Sequence, residues 1–182
     1  MNQGLIPARY AKALYEFACE SGDDKSMFAI MQTLAASFAA EPGLLKVMDN
    51  PFVPAAEKVK LLTTAAGPDA AKSEPYRRFL GLLVENGRLD AVRDIALAYI
   101  ALYRRANNIR LVTVTSAAPM DAAEEKRLRA MIQKHLGDAT MEYETAVDPD
   151  LIGGVTVSID NEKLDASVAN ELKQLRLSLL SN

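Results

Sequence analysis

The sequence predicts an α+β protein, mostly α, with consecutive helices over residues 1–105 and a small α+β domain over 106–182. Three observations predict it. Apolar residues recur at a helical period through the first hundred positions. After Asn107-Asn108 the period falls to two, the signature of strands. The charge balance changes at the same place: residues 1–105 carry 13 Lys and Arg against 12 Asp and Glu, whereas residues 106–182 carry 8 against 12.

The helices read in order. Pro7 suits a first helical turn, where its missing N–H is not needed. Tyr10, Leu14 and Phe17, with Ala11 and Ala18, then form one stripe that ends at Ser21-Gly22. A second helix spans about Lys25 to Ala40 through Phe28, Met31, Leu34, Ala35 and Phe38, and Pro42-Gly43 breaks it. Leu44 to Met48 form a short third helix. Pro54 opens a fourth, with Val59, Leu61 and Leu62, closed by Gly67-Pro68. The fifth places Tyr76, Phe79, Leu80, Leu83 and Val84 at i, i+3, i+4, i+7 and i+8, with Leu82 on another face, and Asn86-Gly87 stops it. The sixth runs from Leu89 to about Arg105 through Val92, Ile95, Ala96, Tyr99 and Tyr103.

In the second domain, Ile109 to Ala117 is a β-branched strand ended by Pro119. Asp121 and Glu124 make a helix start, and Leu128, Met131, Ile132 and Leu136 give that helix its stripe up to Gly137. Met141, Tyr143 and Val147 alternate with Glu142 and Glu144, and Val155, Val157 and Ile159 alternate with polar residues, so both segments read as half-buried strands. A short edge piece follows at Lys163-Leu164. A last helix from about Ser167 carries Val168, Leu172, Leu175 and Leu179.

Composition sets bounds on function. Hydrophobic residues are 49%, charged residues 25% and the formal net charge is −3, which gives no electrostatic case for nucleic acid or a membrane surface. No apolar run approaches the ~20 residues of a membrane span, and residues 1–7 do not read as a signal peptide. Cys19 is the only cysteine, so no intramolecular disulfide forms; it reads as a partly buried small apolar residue. His135 is the only histidine, which excludes catalytic triads and His-rich metal sites. There is no G-x-x-x-x-G-K-[ST] loop, and Gly153-Gly154 reads as a turn or bulge. Asp148-Pro149-Asp150 reads as turn chemistry, Glu142 and Glu144 as a solvated strand face, and Arg77-Arg78 and Arg104-Arg105 as helix surface. The sequence thus offers no catalytic residue, no metal ligand set and no cofactor site.

Four segments carry a family resemblance: Ala8-Arg9-Tyr10-Ala11-Lys12-Ala13-Leu14-Tyr15-Glu16-Phe17-Ala18; Glu85-Asn86-Gly87-Arg88-Leu89; Val147-Asp148-Pro149-Asp150-Leu151-Ile152-Gly153-Gly154-Val155-Thr156-Val157; and Leu164-Asp165-Ala166-Ser167-Val168. In this order they resemble the delta subunits of bacterial F-type ATP synthases, related to the mitochondrial oligomycin-sensitivity-conferring protein. The family often has a basic residue after the last segment, where Ala169 stands here.

The resemblance implies an N-terminal six-helix bundle and a C-terminal α+β domain. It implies a non-catalytic stator role, linking the catalytic head to the peripheral stalk so that the head resists rotation during proton-driven ATP synthesis. Grooves between bundle helices, chiefly the first and fifth, would take the N-terminal helices of alpha subunits, and the second domain would engage the stalk's b subunits. Mapped here, the alpha groove would use Tyr10, Ala13, Leu14, Phe17, Phe79, Leu80, Leu83 and Val84. The stalk-binding domain would use Gly153, Gly154, Val168, Leu172, Leu175 and Leu179. The acidic composition and the lack of a transit peptide favour a bacterial member, held at the cytoplasmic face of the plasma membrane by its complex and not by insertion of its own.

Plain core packing remains an alternative for each groove residue, because a bundle helix must bury one stripe anyway. A groove requires a second apolar face, at which Ala13 and Leu82 hint. On this reading Leu83→Asp or Ala13→Trp weakens alpha binding. A rival reading is a helical RNA-binding protein of the transcription antitermination type; the near-neutral first domain and the strands of the second argue against it. An enzyme fares worst, since the usual catalytic groups are missing.

Overall fold

The computed structural model describes residues 4–160, 162–168 and 170. They divide into two compact units between Arg104 and Arg105.

The first unit contains α1 (Leu5–Ser21), α2 (Asp24–Ala40), α3 (Pro42–Asp49), α4 (Ala55–Ala65), α5 (Glu74–Glu85) and, after a 3-10 turn at Leu89–Ala91, all but the last two residues of α6 (Val92–Ala106). Local chemistry sets the ends. Gly22 terminates α1 in the left-handed conformation (φ 72°), which costs a Cβ-bearing residue free energy. Pro42 is itself the first residue of α3, not a breaker before it, because φ is already helical and no N–H is required there. Ser73 caps α5, its hydroxyl accepting from the Tyr76 N–H at 3.3 Å. The interior is built from Leu14, Met27, Met31, Leu34, Leu62, Tyr76, Leu80, Leu83, Ile95 and Tyr99, all at most 5% exposed. Two buried polar groups are matched. The Tyr76 hydroxyl donates to Leu62 O at 3.1 Å, and burial raises its pKa so that it stays a donor. The Lys58 ammonium donates to Met48 O in the last turn of α3, where a cation also suits the helix dipole. Cys19 is exposed, correcting the expectation of partial burial: the face of α1 that turns inward carries Pro7, Ala11, Leu14 and Ala18.

The second unit contains β1 (Ile109–Ser116), α7 (Ala122–Leu136), β2 (Thr140–Val147), a 3-10 turn at Pro149–Leu151, β3 (Gly154–Ile159) and β4 (Glu162–Ser167). The sheet order is β2-β1-β3-β4; β1 and β2 run parallel, and the other pairs are antiparallel. Asp121 starts α7 by accepting from the N–H groups of Ala123 and Glu124 at 2.8 and 2.7 Å. Paired residues share a face, so Val112, Tyr143, Ile159, Val114 and Val157 lie together, and α7 covers them through Ile132, Leu128 and Leu136. Met131, expected in that stripe, is 69% exposed. Ile132 occupies the line facing the sheet, and a helix one stripe wide turns its neighbour outward. The edge piece expected at Lys163-Leu164 is a full six-residue strand. The expected last helix, with Leu172, Leu175 and Leu179, lies outside the described residues.

On the opposite face the Asp165 carboxylate accepts from the Ser167 hydroxyl (2.6 Å), the Ser167 N–H (3.1 Å) and the Thr156 hydroxyl (3.4 Å). These bonds, the Ser167 hydroxyl first, hold its pKa below the usual carboxylate range. A lowered folded-state pKa adds stability that is complete above the unfolded value, ~3.9, and is lost as pH falls through the folded one. Asp165→Asn should therefore flatten the acid limb of the stability curve of the second unit below about pH 4, which urea titrations at pH 3 and pH 6 measure. An unchanged acid limb would refute the assignment.

Candidate functional site

On the first unit, α1 and α5 leave a groove between them, a depression of about 240 Å³. Its α1 wall is Tyr10, Ala13, Leu14 and Phe17; its α5 wall is Pro75, Arg78, Phe79 and Leu82. Both walls fall at i, i+3, i+4 and i+7, one continuous stripe on each helix. Leu14 (5% exposed) and Phe79 (4%) form the floor and belong also to the interior, while Ala13 is open and Leu82 is 44% exposed. Each helix thus carries two adjoining apolar stripes. One faces the core: Pro7, Ala11, Leu14 and Ala18 on α1, and Tyr76, Phe79, Leu80 and Leu83 on α5. The other is turned by about one residue and lines the groove.

Among the described residues the one charged side chain in the lining is Arg78. Its guanidinium lies 5.5 Å from the Phe17 ring centroid, a cation–π contact that holds the ring, and it pairs with Glu74 one turn earlier on α5. Both partners of that ion pair are more than half exposed, so it orients Arg78 more than it stabilises α5.

Of the groove residues expected from sequence, Tyr10, Ala13, Leu14, Phe17 and Phe79 line it. Leu80 (2% exposed) and Leu83 (0%) are core, because the stripe at 76, 80 and 83 is the one turned inward. Leu83→Asp therefore tests folding and not binding. Val84 lines a different depression, shared with Lys58, Asp49 and Asp90, whose charges do not suit an apolar helix face. Sequence reasoning missed Pro75 and Arg78 and placed Leu82 only on a second face. The spacing 75, 78, 79 and 82 was the available signal.

In the second unit, Gly153, Gly154 and Val168 form one corner. The Val168 N–H donates to Gly153 O at 3.0 Å. Gly154 opens β3 opposite Ser167 at φ 76°, and a Cβ there would sit 2.3 Å from Ala166 O. The glycines serve a close backbone approach. Exposed apolar side chains surround the corner in sequence: Ile152 at 68%, Leu164 at 70% and Val168 at 39%. Among the described residues no group of three or more His, Cys, Asp or Glu is placed to hold a metal, and no single helix is long and apolar enough to cross a membrane.

The family model for the ATP synthase delta (OSCP) subunit matches residues 6–179. The chain belongs to the ATP synthase delta (OSCP) subunit family. It is 39% identical over 176 residues to an ATP synthase subunit delta of Bacteroides fragilis, covering 97% of this chain and 94% of that one. Against the subunit of the same name from Parabacteroides distasonis it is 38% identical over 182 residues, with 100% and 99% covered. A chain of the Toxoplasma gondii mitochondrial ATP synthase hexamer superposes with a TM-score of 0.71 at 23% identity, covering 96% of this chain and 97% of that one. This likeness speaks to the fold, mostly α with a small sheet. The delta-family motifs now have local explanations. Asn86-Gly87 ends α5, with Gly87 at φ 63° and the Asn86 amide donating to Leu82 O at 2.7 Å. Asp148 caps the 3-10 turn through the Asp150 N–H at 3.0 Å. Asp165 ties β4 to β3 by accepting from the Thr156 hydroxyl at 3.4 Å, and the Ser167 hydroxyl, within β4, holds that carboxylate in place. The RNA-binding alternative finds no support in these comparisons.

Proposed function

We propose that this chain is a stator joint of an F-type ATP synthase, non-catalytic, gripping the catalytic head with its first unit and the peripheral stalk with its second. The observation that carries the reading is the α1/α5 groove: two apolar stripes that line one open depression of about 240 Å³. The occupant that fits is an amphipathic helix with apolar residues at i, i+3, i+4 and i+7, which in this complex is the N-terminal segment of an alpha subunit. Burying a few hundred Å² of apolar surface at ~25 cal/mol per Å² gives several kcal/mol, much of it offset by association entropy. One groove alone is therefore a modest joint. Coupling it covalently to a second grip, on the b subunits, raises the effective concentration of each partner at the other site and keeps dissociation rare under torque. The second unit's exposed Ile152, Leu164 and Val168, with Gly153 and Gly154 fixing the corner, are the described candidates for that grip; Leu172, Leu175 and Leu179 would extend it. The complex, and not a span of its own, holds the chain at the cytoplasmic face of a bacterial plasma membrane.

Reconstitution tests this. Head lacking the chain and soluble b stalk should co-sediment only when the intact chain is added, and the chain alone should not hydrolyse ATP. Failure to bridge, or turnover by the isolated chain, would overturn the reading.

A further inference from the structure

We propose that Ile152 is the specificity anchor of the stalk grip: an apolar knob, held out on a strained backbone, for a b-subunit segment whose apolar socket is bordered by Lys or Arg. This deepens the stalk-binding role proposed for the second unit and rests on it. Among the described residues three non-glycine positions have positive φ: Asn108 (51°), Asp160 (51°) and Ile152 (65°). Asn and Asp enter that region more readily than other side chains. Asp160 is held there besides, its carboxylate accepting from the Leu111 N–H at 3.2 Å and the Arg110 guanidinium at 2.8 Å. Ile152 has no such compensation. Its Cβ is branched, its side chain has no polar atom, and ψ is −37°, opposite in sign to the left-handed helical well.

The residue stands against local preference. Gly153 follows directly, yet its φ lies outside the left-handed region while that of Ile152 lies inside it. An isoleucine at 152 gains little from the interior, being 68% exposed. Such strain persists where the surroundings over-determine it, and it gathers at binding sites. Here the Ile152 N–H donates to Pro149 O at 3.1 Å, and Gly153 O accepts from the Val168 N–H at 3.0 Å, so the backbone is tied on both sides of the knob. Val168, 39% exposed, packs against Gly153 and widens the apolar surface.

Charge narrows the occupant. Asp150 is exposed, and its carboxylate makes no hydrogen bond or ion pair among the described residues. The Asp148 carboxylate, by contrast, is used within the turn, accepting from the Asp150 N–H at 3.0 Å. The sequence has no Lys or Arg from residue 135 to residue 162, so the matching cation has to come from a partner. Two copies of the chain meeting at this corner would bring Asp150 carboxylates together, whereas a socket bordered by Lys or Arg sets opposite charges side by side.

Calorimetry of the intact chain with soluble b stalk, paired with amide exchange in β3 and β4, tests it. Ile152→Gly should weaken b binding about tenfold or more and at the same time slow β3 and β4 exchange, because glycine adopts this backbone without strain. Ile152→Leu keeps the apolar bulk and should bind within about threefold of the unaltered chain. Asp150→Lys should weaken binding about tenfold and remove its salt dependence. Undiminished affinity in Ile152→Gly, or faster β3 and β4 exchange in that variant, would overturn the anchor and leave the stalk role standing. Undiminished affinity in Asp150→Lys would overturn the basic socket. Self-association of the chain that Ile152→Gly abolishes would give the corner to a second copy and overturn the proposal. No binding of b by the unaltered chain would sink the stalk role itself, and the anchor with it.

Discussion

Ala13→Trp is expected to weaken binding of an alpha N-terminal helical peptide by about 100-fold, or ~2.8 kcal/mol, with no change in the thermal midpoint of the chain. The side chain at 13 is exposed on the α1 wall, opposite the α5 wall of Pro75, Arg78 and Leu82. An indole there fills a depression of about 240 Å³ and keeps the partner helix from reaching the floor at Leu14 and Phe79. Nothing in the core must move, which separates binding from folding. Leu82→Asp tests the other wall: it puts a carboxylate where a partner would bury apolar surface, and a loss of about tenfold or more is expected. Leu83→Asp, one residue on, should instead unfold the bundle, since Leu83 is fully buried. Calorimetry with the peptide and circular dichroism melts check all three. Unchanged affinity in both Ala13→Trp and Leu82→Asp would remove the groove as the head-binding site.

The second large effect is expected at Gly154. Its φ of 76° lies in the left-handed region, and a Cβ would stand 2.3 Å from Ala166 O. Ala166 O is backbone, so relief requires β3 and β4 to separate at their first pair. Gly154→Val should cost about 3 kcal/mol or more, combining the left-handed penalty with overpacking. Gly153→Ala is the contrast. Its Cβ would meet Val168 Cγ2 at 3.2 Å, a side-chain contact that a rotation relieves, so a loss under ~1 kcal/mol is expected. Amide exchange locates the damage: β3–β4 amides should lose protection in Gly154→Val while the amides of α1 to α6 keep theirs. Native protection in β3 and β4 of that variant would refute the register Gly154↔Ser167.

The sequence by itself determined the elements. Helical period and breakers located α1 to α6 to within a few residues, because Gly22 and Gly87 act through local backbone chemistry that needs no distant partner. The change to period two located the strands for the same reason. Family membership was legible in four local segments, now confirmed across residues 6–179. Tertiary structure alone decided which apolar stripe does what. Leu82 and Leu83 are adjacent and chemically identical, yet one lines a groove and the other is core. Both α1 and α5 are apolar over a wider arc than one contact needs. The angle at which neighbouring helices pack selects the arc that is buried, and no periodicity within one helix encodes that angle. Cys19 and Met131 turned outward by the same rule. The edge position of β2 is likewise a property of strand order, set by pairing between segments far apart in the chain.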